Sequence, residues 1–214
     1  MAATLAWRRS RLADGARGVL AAVCIALLAS AAGAEPLGLS VDQRARLAAG
    51  EVVTLDTLPP GASESAHGGT AVALLHATPD RVWPILVDYR GHPRYYPRVV
   101  SAELVEADAH RALVRYVVGV GPFSFGFYMM KYPDPVRHRI DWHLDASRAN
   151  NFFRENVGYW QVDPAESGSL VTYAIAVRTI LPGFATLGAE RESLVDTIKK
   201  LRKLVDDQQG TATR

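Results

Sequence analysis

Two strand-like stretches carry side chains that could do chemistry. In RIDWHLD, residues 139–145, Arg139, Asp141 and His143 alternate with Ile140, Trp142 and Leu144. At the two-residue period of a strand each set has its own face. Turned inward, His143 and Asp141 would form an acid/base pair of the kind a cyclisation needs, and His143 or Arg115 could polarise a carbonyl. Turned outward, the same residues are the solvated face of a sheet, and this reading leads because charges are rarely buried unpaired. Arg154, Glu155 and Arg178 pose the same choice, and read first as surface ion pairs or residues at the mouth of a site. Arg148, in the polar loop at 147–151, could meet a lipid headgroup or cap a turn.

The second stretch is GPFSFGFYMMKYPDP, residues 121–135, in which Phe123, Phe125, Phe127 and Met129 fall on one face. That face packs either into a core or against a ligand. Other chemistries find no support. Gly119-Val120-Gly121 has Ser124 where a dinucleotide fingerprint needs Gly, and lies between strands, so it is a turn. Pro122-Phe123-Ser124-Phe125-Gly126 lacks the first Gly of a nucleophile elbow. The six His are scattered, with His138 and His143 on opposite strand faces, and the single Cys is Cys24. No metal site and no cofactor is therefore predicted.

The elements that must position these residues start after an export signal. Arg8, Arg9, Arg11 and Arg17 precede the apolar run GVLAAVCIALLASAA, and Ala32-Gly33-Ala34 supplies small residues at a cleavage site. Cleavage before Glu35 is expected, and with it a periplasmic or secreted protein. Arg8-Arg9 leaves the twin-arginine route open beside the general secretory one. Four Arg and one Asp lie in this segment, so its removal turns the formal charge of +2 into −1. The basic balance belongs to the signal, and no charge argument for nucleic acid survives. Cys24 leaves with it, so stability must come from an ordinary core.

After the signal come a leader at 35–67, with a short helix capped by Ser40 and a weak strand, and then a domain at 68–207. Residues 69–77 form a strand, and Thr78-Pro79-Asp80 starts a helix that Pro84 shortens or distorts. His92 to Pro97 holds a turn or one very short helix. From Val99 to Thr179 the period is two throughout, broken by turn-like separators, which predicts an antiparallel meander. Leu187, Leu194, Ile198, Leu201 and Val205 then mark a closing amphipathic helix of about 24 residues, roughly 36 Å long. Residues 208–214 read as a disordered tail. The fold class is α+β: a curved antiparallel sheet of six to seven strands around a long C-terminal helix.

With that element order, the chain resembles the START-like, or SRPBCC, superfamily, which includes polyketide cyclase/dehydrase and coenzyme Q-binding groups. The resemblance rests on TPDRVWPILVDYRGHPRYYPRVVSAELVE at 78–106, DWHLD at 141–145, VGYWQV at 157–162 and LVTYAIAVRTILPGF at 170–184. It implies the helix-grip fold, with an apolar cavity between sheet and helix for a lipid, sterol, isoprenoid or polyketide-like molecule. It brings no common catalytic residue. The implied wall is Phe123, Phe125, Phe127, Met129, Trp142, Trp160 and Tyr173, with Tyr116 on the same sheet, closed by Trp83 and the C-terminal helix. The leading expectation is binding, transport or sequestration of a hydrophobic small molecule outside the cytoplasm, with transient membrane contact. A cyclase, aromatase or dehydrase is the alternative. A protein-interaction module with a filled cavity, below the roughly 300 Å³ of ligand sites, is the third.

Overall fold

The computed structural model describes residues 37–180 and 189–212. The expected signal at 1–34 and the helix-stripe residue Leu187 lie outside them. Ser40 opens α1 (Val41–Ala48) with a capping box, its Oγ accepting from the Gln43 amide at 3.2 Å while its own N–H donates to Gln43 Oε1 at 2.8 Å. Two of the helix's unpaired N-terminal donors are satisfied in this way.

A single sheet of eight strands follows: β1 (Val53–Leu55), β2 (His67–Leu75), β3 (Val99–Ala107), β4 (Ala112–Val120), β5 (Phe123–Asp134), β6 (Arg139–Leu144), β7 (Phe153–Ala165) and β8 (Gly168–Thr179). Their order is β1-β2-β8-β7-β6-β5-β4-β3, with every pairing antiparallel. The count exceeds the expected six to seven because the weak alternation after Glu51 does pair, giving β1 as a three-residue edge strand on β2.

Between β2 and β3 the chain crosses the sheet through α2 (Pro79–Val87) and a 3-10 helix (Tyr89–Arg94). Pro79 takes the first helical position, where its missing N–H costs nothing. Pro84 lies inside α2, which ends after nine residues. Val82, Ile85 and Leu86 are buried, so this short helix is held by packing and not by its length.

The closing helix α3 (Ala189–Ala212) buries Leu194, Ile198, Leu201 and Val205, each at 2% exposure or less, on one stripe against β1 and β2. It runs through Gln208 to Ala212, where a disordered tail was predicted. No Pro interrupts that stretch, so the intrahelical bonds can continue. Among the described residues no helix is long and apolar enough to cross a membrane.

Candidate ligand-binding site

The pleat sends Tyr116 and Val118 of β4, Phe127, Met129 and Lys131 of β5, Trp142 of β6, Asn156 of β7 and Tyr173 of β8 to the same side of the sheet. All are buried, and all line a cavity of about 180 Å³. Phe152, the segment Tyr96–Val99, the β8 residues Ile175 and Val177 and, on α3, Ser193 and Leu194 also line it.

The expected wall divides in two. Phe127, Met129, Trp142 and Tyr173 face the cavity, and the other four do not. Trp160 is 1% exposed but stands behind the wall, stacked on Tyr173 at 4.2 Å between ring centroids and donating its indole N–H to the Tyr96 hydroxyl at 2.7 Å. Phe125 stacks on Phe152 at 4.6 Å, one layer out. Phe123 is 65% exposed, because it starts β5 beside the β4–β5 turn, beyond the covered part of the sheet. Trp83 sits edge-on to His138 at 5.7 Å, away from the cavity boundary.

The polar candidates lie on the outer face. His143 is exposed and meets the Tyr132 hydroxyl at 2.9 Å, while Asp141 takes both nitrogens of a fork from Arg139 at 2.7 and 2.8 Å. Arg115 is partly exposed, opposite Glu103 and Tyr128 in the ladder and beside Gly126. His143 and Arg115 both stand one residue out of phase with the inward set, so neither reaches the cavity, and an acid/base pair of His143 with Asp141 does not form there. Glu155 accepts from the Ser63 amide at 2.8 Å and faces Arg178 at 3.7 Å, an ion pair. Arg148 pairs with Asp145 at 3.5 Å and lies over Tyr128, which is the turn-capping alternative.

Two inward polar residues were not singled out from sequence. Lys131 is 3% exposed, its ammonium 4.1 Å from the Trp142 ring centroid and 5.5 Å from that of Tyr116. Burial lowers its pKa from 10.5 to about 7, since no carboxylate lines the cavity to hold the charge. Asn156 accepts the Trp142 indole N–H on Oδ1 at 3.2 Å, which orients its amide and leaves both –NH₂ donors without a partner among the described residues.

Behind Tyr116 stands a buried polar pair. His92 Nε2 donates to the Leu86 carbonyl at 3.0 Å, and the Tyr116 hydroxyl donates to His92 Nδ1 at 2.7 Å. Burial pulls the His92 pKa well below 6.5, and the Lys131 charge pushes it the same way. The ring is therefore neutral, and Tyr116 is fixed in its plane. Burial likewise raises the Tyr116 and Tyr173 phenols well above 10.

Trp142 owes its position to Gly158, its partner across the β6–β7 ladder. A Cβ on Gly158 would come within 2.5 Å of the indole and would also press on the Ala174 carbonyl oxygen. Gly158→Ala is expected to cost roughly 1–3 kcal/mol by overpacking and to shift the tryptophan emission. Urea unfolding followed by fluorescence checks both, and an unchanged midpoint with unchanged emission would show that the indole is not seated by this contact.

The sequence profile of the family described as polyketide cyclase / dehydrase and lipid transport matches residues 67–205. The chain belongs to this family. No functionally curated protein matches it significantly. Solved structures share the family's fold. A START superfamily protein of Mycobacterium smegmatis aligns with TM-score 0.55 at 16% identity, over 65% of this chain and 97% of its own. A STAR-related lipid transfer protein of Xanthomonas axonopodis aligns with TM-score 0.55 at 17% identity, over 72% and 98%. A Thermus thermophilus protein gives TM-score 0.56 at 21% identity, over 65% and 97%. At these identities the likeness is one of fold, over 65–72% of this chain.

Proposed function

We propose that the protein binds a hydrophobic small molecule, lipid, isoprenoid or polyketide-like, and carries or sequesters it without a covalent step. The observation that supports this most is the cavity: open space walled by Phe127, Met129, Trp142 and Tyr173 inside a fold that could have filled it. Its 180 Å³ falls short of the roughly 300 Å³ of sites that enclose a whole drug-sized ligand. It exceeds the roughly 150 Å³ of an engineered cavity that takes up benzene. The part enclosed is therefore one ring or a short chain, with the remainder of a larger ligand outside.

The small volume on its own would suit an interaction module with a filled cavity. Lys131 speaks against that, because a core with no ligand to serve gains nothing from an unpaired buried ammonium. The cyclase or dehydrase alternative loses His143 and Arg115, which face outward, and retains Lys131 as the buried basic residue of the lining, with Arg98 exposed at its edge. Export is part of this proposal, supported by the signal-like residues 1–34, and would put binding in the periplasm or outside the cell. Uptake from a membrane would use the apolar rim, where Phe123 is 65% and Ile180 46% exposed.

Native mass spectrometry of protein purified from its own source, followed by organic extraction, tests the reading. A stoichiometric apolar adduct is expected. Val118→Phe, which places a ring in the cavity where Val118 lines it, should remove the adduct while the protein stays folded. Protein that is empty as purified, and remains empty after incubation with lipid extracts, would overturn the proposal.

A further inference from the structure

The cavity's wall is aromatic and aliphatic, yet its side-chain chemistry is one-sided. Lys131 offers three donors, and Asn156, with Oδ1 engaged by Trp142, offers two more. The lining contains no Asp or Glu. The Lys131 ammonium has neither a hydrogen bond nor an ion pair among the described residues, and it rests on the faces of Trp142 and Tyr116. Such faces hold a cation loosely and leave its donors unspent. The two polar groups meet on a single indole, Asn156 at its N–H and Lys131 over its ring.

We propose that the cavity takes an amphipathic acid, whose carboxylate pairs with the Lys131 ammonium and the Asn156 amide while its ring or short chain lies among Phe127, Met129 and Tyr173. This rests on the binding function proposed above and adds the ligand's chemical class. A carboxylate supplies the charge and the acceptors that Lys131 and Asn156 lack, and a charge-assisted pair gains strength in a water-poor cavity. A basic ligand would add a second cation beside Lys131. A pure hydrocarbon would fill the space and leave five donors unmet.

Affinity should follow the protonation of Lys131. The groups that face it are Tyr116 from β4, Trp142 from β6, Asn156 from β7 and Tyr173 from β8, with His92 and Tyr96 behind Tyr116; Arg98, exposed at the cavity's edge, keeps its charge across the whole range. His92 titrates well below 6.5, and the three phenols well above 10. Lys131, brought down to about 7, is the group among them that changes charge between pH 6.5 and 9. An acid binds the ammonium form, so its affinity should be flat near pH 6.5 and fall by up to about tenfold per pH unit above 7.

Phenylacetate, cinnamate and octanoate, each compared with its own primary amide by calorimetry or tryptophan fluorescence, test the proposal. Each acid should bind about tenfold or more tighter than its amide at pH 6.5, and the advantage should shrink toward pH 9. Lys131→Met and Lys131→Gln should abolish the preference while the amides still bind. An acid-to-amide ratio near one in the unaltered protein overturns the acid assignment, and amide binding then leaves the cavity reading standing. An affinity that rises with pH, or a secondary amine left on Lys131 when borohydride reduces the imine that cinnamaldehyde forms there with loss of water, without acid preference, would overturn it in favour of an amine nucleophile. Absence of binding by every acid and amide removes both proposals together.

Discussion

Replacing Lys131 with Met is expected to stabilise the empty protein by on the order of 2–4 kcal/mol at pH 7. Met has a similar unbranched reach and no charge to desolvate. The distance from 10.5 to about 7 in the Lys131 pKa corresponds to roughly 5 kcal/mol against the ammonium, an upper limit from which the attraction to Trp142 and Tyr116 subtracts. The pH dependence carries the diagnosis. Between pH 7 and 10.5 the unfolded chain holds a proton on Lys131 that the folded protein has released, so stability rises with pH across that window. Below about pH 7 both states are protonated and the cost is present in full. Urea unfolding at pH 7 and pH 9.5 should therefore show the original protein gaining stability and Lys131→Met gaining much less. A destabilised variant, or equal gains in both, would mean that the ammonium is better solvated than its surroundings allow. A natural protein that retains so costly a group has a use for it in another state, and occupancy by an anion is that state.

Lys131 also shows where sequence reading works and where it stops. The alternation that placed Phe127 and Met129 inward continues two residues further to Lys131, so its direction was available from the same period. It went unremarked because a lone Lys is assigned to the surface by default, and only the strands on either side, bringing Trp142 and Tyr116, reveal that this one is covered. Phe123 is the converse. It shares the face of Phe127, but period fixes a side and not how far along the strand the cover extends. Trp160 lies on the inward face too, yet Tyr95 and Tyr96 fill that end of the sheet, so it supports the wall from behind. The outward placement of His143 and Asp141 followed from alternation and the cost of burying charge. Asn156 carried no signal, since its role depends on one indole N–H from another strand.

His92 carries the other large effect. Its ring is 1% exposed and boxed by Tyr89, Tyr95, Tyr96 and Tyr116 at 5.2 to 5.8 Å between centroids. Protonation would put a second donor against the Tyr116 hydroxyl and a charge in a dry site near Lys131. The folded protein resists it, while the unfolded chain takes up the proton near pH 6.5. Stability should consequently fall below pH 6.5, at up to about 1.4 kcal/mol per pH unit from this group. His92→Leu should flatten that arm and, at pH 8, cost about 2–4 kcal/mol, because the Leu86 carbonyl and the Tyr116 hydroxyl lose their buried partner. Tyr116→Phe should cost about 1–3 kcal/mol and keep the acid arm, because the imidazole remains buried and neutral. Thermal or urea unfolding at pH 5, 6.5 and 8 separates the three proteins, and an acid arm that survives in His92→Leu would assign it to another group. The consequence reaches the cavity. Tyr116 is both the hydroxyl that His92 fixes and a ring on which the Lys131 ammonium rests, so freeing that ring should weaken acid binding in His92→Leu more than amide binding.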